Sequence, residues 1–257
     1  MEPQRLPAKQ GWEWIKQGYA LFMKAPLLWI VFLFIFFIAA VALSNVPIVG
    51  EALVSLLMPV VLAGLMSGCR SLEQGEELEL THFFSGFKQH TSHLVTLGGI
   101  TLVSQILIFG VMMVTGGASV VGIMMSGRPE TDPAVMMQAM AGAGFAMLLG
   151  LVLFSLLMMA MQYAPMLVFF NSRTSMQAMK LSLGAFTHNI GAMLVYYTTF
   201  LFLAILASLP MFLGWLVLMP MVFTSLYSSY CAIFPASKLA QQPDKPKDPF
   251  TPEPGTF

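Results

Sequence analysis

Residues 181–237 read LSLGAFTHNIGAMLVYYTTFLFLAILASLPMFLGWLVLMPMVFTSLYSSYCAIFPAS, without one Asp, Glu, Lys or Arg. Shorter stretches share this property: 25–50, 52–69, 94–127 and 133–172. A hydrocarbon layer about 30 Å thick takes about 20 apolar residues per helical crossing. The charge-free stretches are therefore membrane spans. The fold class is all-α, a polytopic transmembrane helical bundle.

Composition agrees with this reading. The chain of 257 residues is 57% hydrophobic and 9% charged, with a mean hydropathy of +0.78. A soluble domain of this length would not tolerate those values. Net charge is zero, so no basic field draws the chain to nucleic acid. The basic residues Arg5, Lys9, Lys16 and Lys24 ahead of the apolar run 27–43 imitate a signal peptide. That run is longer than the usual apolar region of about 7–15 residues, so a retained first span is expected.

Six spans fit, at about 27–44, 48–69, 94–114, 144–169, 190–209 and 211–234; a continuation of the third to Met125 is left open. Pro47 to Gly50 and Pro210 mark the turns of two tight hairpins. With the N-terminus inside, the inner segments hold Arg5, Lys9, Lys16, Lys24, Arg70, Lys88, Arg173, Lys180, Lys238, Lys245 and Lys247, and the outer loops hold Arg128 alone. Positive charge marks the cytoplasmic side, so both termini are expected there. The expected organisation is a flexible N-terminus at 1–10, one transmembrane domain at 11–234 and a disordered Pro-rich cytoplasmic tail at 235–257. Cys69 and Cys231 fall at inner helix ends, where thiols stay reduced, and lack metal-site spacing. They read as small buried hydrophobes.

The spans group into three hairpins, each expected to follow a cytoplasmic interfacial amphipathic helix. Trp12, Ile15, Tyr19 and Phe22 recur at helical spacing in the first. Leu80, Phe83, Phe84 and Phe87 do so in the second, and Met176, Met179, Leu183 and Phe186 in the third. Trp12, Trp14, Tyr19, Phe22, Phe87 and Phe186 are the expected interfacial anchors, because amphipathic rings favour the headgroup level. Thr174 with Gln177 reads as a capping box. Pro59, Pro165 and Pro220 each interrupt a return helix and are expected kinks. Gly64 and Gly68 form a GxxxG and Ala146 with Gly150 a similar pair, for close packing within the chain or in a homo-oligomer.

Candidate chemistry is sparse. No Asp, Glu, Lys, Arg or His sits mid-span, and proton- or ion-coupled carriers usually keep one there. Gln105, Gln162, Ser104, Thr198, Thr199 and Thr224 are the polar midspan residues. The two glutamines are expected to hydrogen-bond across helices. The loop 70–93 carries Glu73, Glu76, Glu77 and Glu79, then His82, His90 and His93. His90 and His93 are three apart and on a helix could ligate zinc with a carboxylate; the alternative is a solvated loop and an interfacial helix. Met124, Met125, Met136, Met137 and Met140 could hold Cu(I) or simply fill apolar gaps. Asp132 reads as an N-cap with Pro133 at N1. No metal, cofactor or catalytic residue is assigned, and HExxH, GxSxG and buried acid pairs are missing.

Tyr163-Ala164-Pro165-Met166-Leu167-Val168-Phe169-Phe170 followed by Ala178-Met179-Lys180-Leu181-Ser182 resembles an uncharacterised family of proteobacterial inner-membrane proteins. Gly11-Trp12-Glu13-Trp14, Gly18 to Phe22, Gly64 to Arg70 and Ser225 to Tyr230 carry the same resemblance, over about 11–234. A looser likeness extends to the membrane domain fused to some bacterial glycerophosphodiester phosphodiesterases. Two departures stand out. The family often has Arg-Asp where this chain has Cys231-Ala232, and a more basic, Trp-containing sequence at Thr187 to Ile190. The resemblance implies a bacterial cytoplasmic membrane and no activity. The expected role is non-enzymatic: organising membrane lipids, or a protein partner at the cytoplasmic face. An uncoupled channel, transporter or flippase for an apolar or amphipathic substrate is the alternative.

Overall fold

The computed structural model of the protein describes residues 2–46, 49–126 and 133–235. Among these residues there is no strand, and six helices are long and apolar enough to cross a membrane. Helix α1 (Gln10–Phe22) precedes the hairpin of α2 (Pro26–Ser44) and α3 (Gly50–Gln74). A 3-10 segment, Leu80–Phe87, leads into α4 (Thr91–Met112), which continues through a π-type turn, Met113–Gly117, into α5 (Ala118–Ser126). The return path is α6 (Pro133–Met161) and α7 (Ala164–Asn171). Helix α8 (Ser175–His188) precedes the last hairpin, α9 (Ile190–Ser208) and α10 (Trp215–Ile233). The expected tail at 235–257, apart from its first residue, and the expected N-cap Asp132 lie outside the described residues.

The spans differ in what they face. In α3 and α10 about half of the span is buried (50% and 56%), against 11% in α2 and α4. Helices α3 and α10 therefore form the centre, and α2, α4 and α9 present long apolar faces such as Phe37, Ile38, Leu107, Leu201 and Phe202. Such faces suit hydrocarbon rather than water.

The three leading segments obey one rule. Each packs on the return helix of the hairpin before it, with the first closing on the last: α1 on α10 and α9, the 3-10 segment on α3, and α8 on α6 and α7. The expected threefold repeat is thus a ring of interlocked units. Small residues make the contacts. A Cβ on Gly18 would stand 2.6 Å from the Ser225 backbone, five residues past Pro220. Gly64, five past Pro59, faces the Phe83 carbonyl, 2.5 Å from where its Cβ would be. Gly68 faces the Leu78 side chain, and Gly86 abuts the Val60 carbonyl. The GxxxG therefore seats the chain's own 3-10 segment.

Several expectations need correction. Trp14 and Phe22 are buried at 0% and 3% exposure, and Trp14 stacks edge-on against Tyr196 at 6.0 Å. They belong to the core, because the glycine face of α1 pulls its aromatic stripe against α9 and α10. Trp12, Tyr19 and Phe87 are exposed, and Phe186 is half-buried beside Tyr197. The second leading segment is 3-10, not α, and its capping box joins Glu79 and His82. Thr174 is the N-cap of α8 but makes no side-chain capping bond. Pro59 and Pro220 lie inside helices and are buried, whereas Pro165 sits in the first turn of α7, after a break at Gln162-Tyr163. A first-turn proline loses no helical hydrogen bond, so Pro165 marks a restart rather than a kink.

Candidate functional site at the charged end

Helix ends and linkers holding most of the described charges meet at the end of the bundle that bears the N-terminal segment and the end of α10. Their order comes from side chains satisfying helix termini. Helix α3 stops at Gly75, whose φ of +85° costs glycine no Cβ clash. Gly75 N–H bonds the Leu72 carbonyl at 3.3 Å and Glu76 N–H the Ser71 carbonyl at 2.9 Å, a Schellman termination. Lys24 Nζ donates to the same Leu72 carbonyl at 2.6 Å. A cation at a helix C-terminus is favourable by the macrodipole as well as the hydrogen bond.

Other bonds tie the remaining segments to this point. Tyr227 OH donates to Glu73 Oε2 at 2.8 Å, and Tyr230 OH donates to Asn171. The Arg70 guanidinium lies over the Phe170 ring at 5.6 Å. His82 Nε2 meets Ser71 Oγ at 3.0 Å, holding the 3-10 segment on α3. His90 Nε2 meets Ser172 Oγ at 3.1 Å, and the His93 carbonyl accepts from Ser175 Oγ at 2.9 Å. His90 is the N-cap of α4 with positive φ, so His90 and His93 do not share a helical face. No group of three His, Cys, Asp or Glu suited to a metal occurs among the described residues.

The N-terminal residues, expected as flexible, are hydrogen-bonded to the bundle. Asn189, buried at 1%, accepts from Leu6 N–H at 2.8 Å and donates to the Gln4 carbonyl at 2.9 Å. Gln4 N–H reaches the Ile233 carbonyl at 2.9 Å. The departure at Thr187 to Ile190 thus holds a latch for the N-terminus, a role no pattern in that segment announced.

Two cavities flank Lys24. One, of about 450 Å³, is lined by Gln10, Gln17, Lys24, Glu73, Tyr227 and Cys231. The other, of about 600 Å³, runs past Lys24, Leu27, Leu72, Glu76, Glu77 and Leu78. Leu27 is 74% exposed, so the second cavity opens where the apolar surface of α2 meets the polar rim. Cation, carboxylates and apolar wall within one opening suit an amphiphile with a charged head.

The other sequence candidates scatter. Gln162 Nε2 donates weakly to Tyr163 OH at 3.4 Å and approaches Met193 Sδ at 3.8 Å. Gln105, expected to bond across helices, is exposed on α4. Met125, Met137 and Met140 are exposed, and the Met124 side chain lies outside the described residues. Cys69 and Cys231 are buried and not joined in a disulfide, and Cys231 Sγ lies 4.0 Å from Glu73 Oε2. Sequence reasoning missed Ser182, whose hydroxyl accepts from Tyr163 N–H at 3.0 Å and donates to the Met159 carbonyl at 2.8 Å. It also missed Glu51, though Glu51 alone separates the charge-free stretches 25–50 and 52–69.

A probable inner membrane protein of Burkholderia thailandensis is 30% identical over 264 residues, covering 95% of this chain and 96% of that protein. No family model and no solved structure matches the chain.

Proposed function

The chain belongs to the family of that Burkholderia inner membrane protein and is a multi-pass inner-membrane protein; from this premise we propose that it is non-enzymatic and organises membrane lipid at its charged end, with both termini in the cytoplasm. The observation that carries the reading is Lys24 standing between two open cavities at the rim of the apolar surface. A lysine there offers a phosphate a point charge, while Leu27 and Leu28 accept the first methylenes of an acyl chain. The Lys and Arg bias supports the cytoplasmic placement.

Replacing Lys24 with Gln removes the charge at this rim. Purified K24Q protein is expected to retain several-fold less anionic phospholipid, read by mass spectrometry of extracted lipids, and K24R to restore it. Equal lipid retention in wild type and K24Q, with a soluble protein co-purifying at this face instead, would turn the reading toward a protein partner. A fluorescent reporter that folds only in the cytoplasm, fused after Phe257, should light up; a dark fusion of normal abundance overturns the orientation.

A carrier reading has one observation in its favour, a cleft of about 470 Å³ bordered by Pro59 and Pro165. Pro220 lies elsewhere, beside a space of only about 10 Å³ among Trp29, Phe32 and Phe223. With only two of the three prolines at the cleft and Pro220 beside a closely packed space, the arrangement supports holding a molecule better than passing one.

A further inference from the structure

The cleft bordered by Pro59 and Pro165 has a polarity gradient that the charged-end reading does not use. It is walled by α3, α4, α6 and α7, with Ser44 of α2 at one end. Glu51, in the first turn of α3, stands exposed at the mouth on the end of the bundle away from the termini. Ser55 follows one turn deeper. Its Oγ is buried and makes no hydrogen bond. Gln105 of α4 faces the same cleft and is exposed, in the middle of a helix that crosses the membrane. Deeper still, Met158, Met161, Leu62 and the two prolines leave an apolar floor.

Depth can be read from α3. Glu51 and Leu62 are eleven residues apart, so at about 1.5 Å per residue the cleft runs ~16 Å along the helix axis. That is about half of a hydrocarbon layer of about 30 Å. Along α3 the order from mouth to floor is carboxylate, unsatisfied hydroxyl, then aliphatics; the Gln105 amide faces them from α4, and Met158 and Met161 add thioethers. A phospholipid of the leaflet away from the termini has the matching order: headgroup, ester carbonyls, acyl chain.

We propose that this cleft binds one phospholipid whose headgroup ends in a primary ammonium, with the ammonium at Glu51, an ester carbonyl accepting from Ser55 Oγ or Gln105, and an acyl chain on the floor between Pro59 and Pro165. The carboxylate selects the headgroup. An anionic head would meet repulsion at Glu51. A quaternary ammonium has the charge but no N–H to donate, so it forgoes the charge-assisted bond. The hydroxyl and amide explain the polar groups in the span: an exposed amide among lipid tails is unfavourable unless a carbonyl meets it. The site needs the membrane placement but not the Lys24 reading, since it lies at the opposite end of the bundle.

The test uses the full-length protein in nanodiscs of equal parts phosphatidylethanolamine, phosphatidylglycerol and phosphatidylcholine, released into mild detergent for native mass spectrometry. Wild type is expected to retain one phosphatidylethanolamine preferentially. E51Q should lower that preference about tenfold, the size of one charge-assisted hydrogen bond. S55L, which fills the cleft beside Pro59, should abolish it, while helical circular dichroism stays unchanged in both. A diazirine on the acyl chain of phosphatidylethanolamine should label peptides containing Leu62 or Met158. No preference among the three lipids in wild type, or an undiminished preference in both E51Q and S55L, overturns the proposal. Loss on K24Q with E51Q unaffected would do the same while leaving the charged-end reading standing.

Discussion

Gly18→Val is expected to lower the melting temperature of the detergent-purified protein by about 6–12 °C and to expose α1 to trypsin at Lys9, Lys16 and Lys24. The reason is geometric. The Cβ would stand 2.6 Å from the Cα, Cβ and N of Ser225, and backbone atoms cannot swing aside as a side-chain tip can. Overpacking costs about 1–3 kcal/mol when neighbours adjust, and here adjustment means moving α1 off α10. With α1 go Trp14 on Tyr196 and the burial of Ile15, Leu21 and Phe22. The matched control is Gly184→Ala on α8, where a Cβ meets nothing within 4 Å. There only helix propensity acts, so a gain of about 0.5–1 kcal/mol is expected. Equal melting temperatures for G18V and wild type would mean that α1 is not held by this contact and lies free at the interface.

That contrast also marks how far the sequence could be read. The six spans were legible because hydrocarbon excludes charge, a property of each segment by itself. The partner of each leading segment was not. Periodicity places Trp14 and Phe22 on an apolar stripe, but lipid headgroups and a protein groove call for the same stripe. What decides between them is Gly11 and Gly18 meeting Ala192, Tyr196 and Ser225, residues more than 170 positions away. The final Ser225 to Tyr230 run, quoted for its resemblance, is where the network closes: Ser225 on Tyr196 at 2.9 Å, Tyr227 on Glu73, Ser229 on Tyr163 at 3.0 Å and Tyr230 on Asn171. The prolines were visible as breaks, yet their consequences differ with the chain around them. Pro59 and Pro220 sit within continuous helices, while Pro165 opens a new one. Of the cleft, Glu51 was open to notice as the lone charge between residues 25 and 69. Ser55 and Gln105 join it only because α3 and α4 pack with Ser55 and Leu56 of α3 beside Gly98 of α4.

Ser182→Ala is the second substitution expected to act strongly, at the break between α6 and α7. The side chain is fully buried, and its hydroxyl takes the Tyr163 N–H and gives its own proton to the Met159 carbonyl. Both backbone groups belong to the interruption, where no i to i−4 partner is in place. Deleting Oγ removes one atom, so cavity formation contributes little; what is lost is satisfaction of a donor and an acceptor in an apolar setting. Leaving a buried polar group unmet costs about 1–3 kcal/mol each, so about 2–6 kcal/mol is expected for the two. Hydrogen bonds between side chains of membrane helices average nearer 0.6 kcal/mol, because the loosened state finds new partners. Tyr163 N–H has no such freedom, since it lies at the break after Met161 and Ala164 already begins the next helix. The readouts are a lowered melting temperature and faster amide exchange at Tyr163, with Ser155→Ala as control. Ser155 Oγ only bonds the Leu151 carbonyl four residues back, and its loss strands no N–H. S182A should also weaken lipid capture in the cleft, because the break it splints sets Pro165 against Met158 and Met161 on the cleft wall. If S182A melts like wild type and the Tyr163 amide stays protected, another group satisfies the break, and Ser182 is not what holds α7 in line for the cleft.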